Sequence, residues 1–235
     1  MPDRNRLLIV AAHPDDEVLG CGGTVRRMVS AGWEAHLVVF TGGVGGRHAA
    51  DSAGLREVQV EQDSLREQME SAADVIGFGS IAVLDFPDNR MDTVSRTELV
   101  LALRPIVENV RPRIVFTHHP GDYNWDHARV FDAVMMAARP NPPEFMPEEI
   151  RTFEVLSSTE RAWQESSRAF LPNLFVDIAT TIDMKKLALR YYHSENRPYP
   201  HPRSIEAVEY LARKRGNEVG LKYAEAFHVV RKVEI

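Results

Sequence analysis

The chain is poor in the features that would place it outside the cell or on a polyanion. Its 235 residues include a single cysteine, Cys21, so no internal disulfide can form, and that usage fits a reducing compartment. No apolar stretch reaches the ~20 residues that a membrane-spanning helix needs. The apolar run behind Met1-Pro2-Asp3-Arg4-Asn5-Arg6 is too short for a secretory signal. The expectation is a cytoplasmic protein with no membrane span. A basic tract is also missing. Lys and Arg total 28 against 34 Asp and Glu, for a net charge of −6, so neither nucleic acid nor an anionic membrane has electrostatic support as a partner. There is no internal repeat and no low-complexity segment. What is present is an ordinary globular composition, 44% hydrophobic and 26% charged, in a chain long enough to bury a core without covalent staples. One domain over 1–235 is expected.

Hydrophobic patterning predicts strands at about 6–12, 35–40, 80–86 and 113–117, with helices at about 14–31, 52–77, 95–110 and 127–138 between and after them. The first strand, with Leu7-Leu8-Ile9-Val10-Ala11, is apolar on both faces, as strands of a parallel sheet are. Pro14 suits the first turn of a helix, the acids behind it suit the positive end of the helix dipole, and Gly32 suits its end. The stretch Pro140 to Pro147 reads as a surface loop. Beyond it, strands are predicted at about 152–158, 174–178 and 225–232, and helices at about 181–193 and 203–216. Alternation of strand and helix implies an α/β fold: a Rossmann-like, mostly parallel sheet flanked by helices, with a C-terminal α/β elaboration. Ligands of such sheets bind beyond the carboxyl ends of the strands.

Two motifs stand at such ends. Ala12-His13-Pro14-Asp15-Asp16-Glu17 follows the first strand, and Thr117-His118-His119-Pro120-Gly121-Asp122-Tyr123-Asn124-Trp125-Asp126-His127 follows the fourth. His13 and Asp16 with one histidine of the second motif make a two-His, one-carboxylate set, which suits catalytic Zn²⁺ with a position left for water. The same set accepts Fe²⁺ or another divalent ion. Two neutral imidazoles and one carboxylate leave the ion a net positive charge, hence a Lewis acid. Asp15, beside a ligand, can serve as the base.

These motifs resemble those of the PIG-L/LmbE family of zinc-dependent N-deacetylases. The likeness extends to Thr41-Gly42-Gly43, the Arg66/Glu70 helix leading to Gly77, Asp126-His127, His193-Ser194 and Tyr223-Ala224-Glu225-Ala226-Phe227. The resemblance implies His13, Asp16 and His127 as metal ligands and Asp15 as general base. It also implies a Rossmann-like fold, a small-molecule substrate of the N-acetylglucosamine type, and the oligomer formation known in the family. Several members carry a histidine three residues before the last ligand, where this chain has Asn124. An amide can donate a hydrogen bond to an oxyanion but cannot be the acid, so Asp15 or His193 would protonate the leaving amine. Arg66 resembles a substrate-contacting arginine, although pairing with Glu70 at i,i+4 would account for it equally well. Asp88 is placed to bind a sugar hydroxyl, or simply to make a turn.

Other readings compete. An amidase acting on a non-sugar or conjugate amide keeps the same motifs. A non-catalytic metal- or sugar-binding protein would not need Asp15. A dinucleotide enzyme is disfavoured: Gly20-Cys21-Gly22-Gly23 lies inside the predicted helix with the wrong spacing, and close packing of that helix on the sheet explains it better. His118 and His119 are expected to line the pocket or orient ligands, and Asp126 to orient its neighbours or cap a helix. Cys21 is expected to be a small buried residue. His36, His48, His201 and His228 have no supporting spacing. Substrate choice is expected to rest on the loops at 42–50, 87–94 and 140–150.

Overall fold

The computed structural model describes residues 5–44, 52–140, 145–163 and 165–234, with side chains of the second helix described from residue 58 onward. His48, most of the 42–50 loop and residues 141–144 of the Pro-rich stretch lie outside the described residues. Among the described residues one seven-stranded sheet organises the fold. Its strands are β1 (Arg6–Ala11), β2 (Glu34–Thr41), β3 (Ser80–Phe86), β4 (Ile114–His118), β5 (Glu149–Phe153), β6 (Leu174–Asp177) and β7 (Ala224–Lys232). They lie in the order β3-β2-β1-β4-β5-β7-β6. The first five are parallel, whereas β7 runs antiparallel to both β5 and β6. This is the expected α/β fold, with the antiparallel strands as its C-terminal elaboration.

The helices are α1 (Asp16–Ser30), α2 (Ser52–Ile76), α3 (Arg96–Val110), α4 (Trp125–Ala137), α5 (Ile182–Tyr191) and α6 (Ile205–Asn217). Side chains alternate across a strand, and β1 shows what that does to the core. Leu7, Ile9 and Ala11 join the cluster containing residues of α1, α2, α5 and α6, while Leu8 and Val10 join the one containing residues of α3 and α4. The sheet is therefore covered on both faces. Among the described residues no helix is long and apolar enough to cross a membrane.

Several boundaries differ from the sequence-based expectation. α1 starts at Asp16, so Pro14 stands before it and Asp15 takes the capping position in the left-handed region, at φ 99°. α4 starts at Trp125 because the Asn124 side chain caps it, accepting from the Asp126 N–H at 2.9 Å. The expected strand at 152–158 is displaced to Glu149–Phe153, paired with β4, and the chain turns after Val155. α3 opens with a capping box: Ser95 Oγ accepts from the Glu98 N–H, and the Glu98 carboxylate accepts from the Ser95 N–H.

α1 is held unusually closely. A Cβ on Gly20 would come within 2.2 Å of the Phe153 ring, so the glycine run serves close packing on β5. Farther along, Glu225 accepts from the Gly23 N–H at 2.9 Å and the Thr24 N–H at 2.7 Å. Lys185 Nζ donates to the Leu19 carbonyl at 2.8 Å and lies 2.6 Å from Glu225 Oε1. The buried ion pair thus meets the Leu19 carbonyl and the Gly23 N–H of a helix that runs unbroken from Asp16 to Ser30.

Candidate active site

The reversal of strand order between β1 and β4 opens a crevice beyond their carboxyl ends. Both motifs empty into it. After β1 the chain turns sharply: the His13 N–H donates to Asp16 Oδ2 at 2.9 Å, and Asp15 takes its positive φ. Such a conformation costs a non-glycine residue ~1–3 kcal/mol and persists only when its surroundings fix it. Those surroundings are visible. Glu17 Oε2 accepts from the Asp15 N–H at 3.1 Å, and the Tyr192 hydroxyl donates to Glu17 Oε1 at 2.6 Å. Arg203 Nη1 lies 3.0 Å from Asp15 Oδ2 and 3.2 Å from Glu195 Oε2.

The centre of the site is Asp16, fully buried. His13 Nδ1 is 3.2 Å and His127 Nε2 3.3 Å from its Oδ2, while its Oδ1 is buried with no hydrogen-bond partner. The outer nitrogens of the two rings face acceptors. His13 Nε2 is 3.3 Å from Asp126 Oδ2 and 3.4 Å from Asp88 Oδ1, and His127 Nδ1 is 3.1 Å from Asp122 Oδ2. Asp126 is itself fixed by the backbone N–H groups of Asn89 and Met91, and Asp122 by the hydroxyls of Ser158 and Thr159. His13, hydrogen-bonded to Asp126 through Nε2, can thus carry its proton on the outer nitrogen and turn a lone pair inward, the tautomer that a metal ligand requires, whereas His127 Nδ1 has the Asp122 carboxylate close by without an aligned hydrogen bond. One donor atom each from His13, Asp16 and His127 falls within a 4.8 Å cluster. A second such group, His13, Asp88 and Asp126, shares His13, but its Asp126 carboxylate is already occupied by two backbone donors. The donor set around Asp16, with its unpartnered oxygen, fits a divalent cation.

The electrostatics agree with that fit. Burial would lower the His13 pKa, yet Asp126 and Asp16 raise it to about 10. Burial likewise opposes the rise of His127 to about 9, which Asp16 and Asp122 impose. Burial would raise Asp16, but His127 and His118 hold it well below the usual carboxylate range. Asp122 is drawn to about 2 against its burial by His127. The pocket favours positive charge at the point where the two rings meet Asp16. Beside it, burial lifts Asp15 to about 7 in spite of Arg203, and Glu17 to about 8 in spite of the Tyr192 hydrogen bond.

A family model described as GlcNAc-PI de-N-acetylase, PIG-L, matches residues 8–138, more than half of the chain and the part that carries both motifs. The chain belongs to the PIG-L family. It is accordingly a deacetylase, an amide hydrolase. A curated relative, described as an uncharacterized deacetylase from Escherichia coli, is 28% identical over 195 residues, spanning 81% of this chain and 91% of its own. Among solved structures, N,N'-diacetylchitobiose deacetylase from Pyrococcus horikoshii aligns with a TM-score of 0.77 at 23% identity, over 97% of this chain and 84% of that one. The 4-carboxy-2-hydroxymuconate hydratase from Pseudomonas putida aligns with a TM-score of 0.75 at 23% identity, over 98% of each chain. The fold is thus shared with a different chemistry.

Within this PIG-L protein the structure brings together His13, Asp15, Asp16 and His127. Asn124 borders them through Asn89: its Nδ2 is 3.4 Å from Asn89 Oδ1 while its Oδ1 caps α4. Asp88 lies against His13, its Oδ1 3.4 Å from His13 Nε2. Arg66 lines a cavity of about 340 Å³ with Pro14, Gly42, Gln62 and Asp85, and no ion pair joins it to Glu70 among the described residues. His193 is exposed, and its neighbours Ser194 and Glu195 make the inward contacts, to Gln68 and Arg203. His118 is buried; its Nε2 accepts from the Ala12 N–H at 2.8 Å and its ring stacks on His127 at 3.9 Å, so it orients the site. His119 faces away, toward the Arg168 carbonyl and Phe170.

Three contributors were not singled out from sequence: Asp122, Tyr192 and Arg203. Asp122 had a usable signal, since a ligating histidine almost always has a carboxylate or carbonyl on its other nitrogen. The other two had none.

Proposed function

We propose that this chain is a divalent-metal N-deacetylase, of the zinc type, acting on an N-acetylated amino-sugar derivative. The observation that carries the reading is the pair of imidazoles converging on the Asp16 carboxylate, with Asp15 alongside. His13, Asp16 and His127 would hold the ion. When bound, Zn²⁺, or Fe²⁺ in the same set, supplies a Lewis acid that polarises the amide carbonyl and acidifies a water.

The chain's own groups do the rest. Asp15 Oδ1 is buried without a hydrogen-bond partner and takes a proton from water as its oxygen adds to the amide carbon. Asn124 Nδ2 is the side-chain donor at the rim of the site that can meet the developing negative oxygen. On collapse the C–N bond breaks, and Asp15 returns the proton to the departing amine. Among the described residues no hydrogen bond or ion pair joins the exposed His193 side chain to these groups, and Asp15 is the group we assign to both directions. Burial, which raises the Asp15 pKa, favours a carboxyl that can hold the proton it takes.

The amino-sugar reading draws on the family description and on the polar lining of the Arg66 cavity. Amide hydrolysis distinguishes this reading from the chemistry of the structurally similar hydratase. The test is metal analysis of the purified protein together with acetate and amine release from N-acetylglucosamine-bearing compounds. Bound metal and stoichiometric release are expected, with both products lost in Asp15→Asn. A metal-free protein, or an Asp15→Asn variant as active as the parent, would refute the reading.

A further inference from the structure

The Asp15 carboxylate is asymmetric. Its Oδ2 is tied to Arg203 at 3.0 Å, and its Oδ1 is buried with no hydrogen-bond partner. Arg203 is itself fixed by acceptors from separate segments. Nη1 is 3.2 Å from Glu195 Oε2, and Nε donates to Ser157 Oγ at 2.9 Å. Arg203 lies just before α6, outside the segment that defines the family.

A carboxylate held at one oxygen cannot swing about its Cβ–Cγ bond, and this one is also pinned through its backbone, by Glu17 on the Asp15 N–H. Leaving a buried carboxylate oxygen unpaired costs free energy. With Oδ2 tied to Arg203, Oδ1 is the oxygen with no competing donor, hence the one left to accept a proton. A guanidinium, planar and always charged, suits this post because it ties Oδ2 without offering a proton that Asp15 could acquire.

We propose that Arg203 is the positioning residue of the catalytic base: by holding Oδ2 it makes Oδ1 the oxygen that receives the water's proton, and Glu195 and Ser157 hold Arg203 for that task. This inference rests on the reading of Asp15 as the base.

Steady-state kinetics of Arg203→Ala, Arg203→Lys and Asp15→Asn against the parent holoenzyme test it, with and without added guanidinium ion at non-denaturing concentration. For Arg203→Ala, kcat should fall by about 10- to 100-fold, the scale of a catalytic group misplaced by about an ångström, with KM nearly unchanged. Guanidinium should restore part of the rate, and sodium chloride at equal ionic strength should not. Arg203→Lys should show an intermediate kcat. If Arg203→Ala keeps full kcat while Asp15→Asn is dead, the inference fails and the base assignment stands. Full activity in Asp15→Asn would defeat the base assignment itself. A rise in KM at constant kcat would make Arg203 a substrate-binding residue and overturn the proposal. Should the alanine variant lose its circular-dichroism signature, Arg203→Lys decides: reduced kcat at unchanged KM supports the inference, and an unaltered kcat overturns it.

Discussion

Residues 8–138 and the described residues from 145 onward contribute differently to the same site. The first region carries the parallel core of the sheet and brings His13, Asp16 and His127 together. The second region adds none of that cluster. It supplies Tyr192 behind Glu17, Arg203 on Asp15, the hydroxyls of Ser158 and Thr159 on Asp122, and the Lys185–Glu225 pair against α1. Donor atoms come from motif-bearing turns, and the groups that fix them come both from the same motifs, as Asp126, His118 and Glu17 do, and from the second region. A site can therefore be readable as a set of ligands while its rigidity is written in part elsewhere in the chain.

The sharpest way to sharpen this division is to remove a donor. His127→Ala should lose bound metal on dialysis and reduce acetate release to the level of the uncatalysed control, with the fold retained by circular dichroism. A supporting element should fail in the opposite sense. Glu225→Ala leaves Lys185 charged and buried, and breaking such a pair costs ~3–5 kcal/mol. Urea denaturation should show that loss, whereas the turnover of protein still folded should change little. Asp122→Asn tests the seam, because Asp122 lies in the first region but is gripped by hydroxyls of the second. Metal affinity or activity should fall ~10–100-fold, read by competition with a chelator. The smallest effect belongs to a first-region residue with no tie to the site: Ser95→Ala should cost ~1 kcal/mol through its lost cap and leave kcat intact. An Asp122→Asn protein with full metal affinity, or a Ser95→Ala protein with impaired turnover, would blur the division.

Legibility follows the same line. β1, β2 and β4 were readable because their apolar runs are buried in a parallel sheet, and the motif residues fell at strand ends where ligands bind. Errors arose where a long-range partner decides the local shape. Pro14 suggests an earlier helix start, but Glu17 holds the Asp15 N–H and delays α1 to Asp16. β5 carries Glu149 and Arg151, which pair with each other at 2.7 Å, and this polar composition hides a strand that pairs in register with β4. His193 was expected near the chemistry from its motif, yet α5 ends at Tyr191 and the turn directs Ser194 and Glu195 inward instead. Arg203 has no local signature at all: its meaning comes from Asp15, and only the tertiary fold joins them.

The ion pair packed against α1 also bears on the order in which the protein can be made. Chains emerge from the ribosome N-terminus first, so β1 and α1 are synthesised early. The Gly23 N–H, however, finds its acceptor on Glu225, 202 residues later. Until β7 has been synthesised, the Gly23 and Thr24 N–H groups and the Lys185 ammonium lack the carboxylate that meets them in the fold. Close packing of α1 should therefore wait for β7, and a nascent chain arrested before residue 225 should protect the α1 amides from hydrogen exchange less well than one that carries β7.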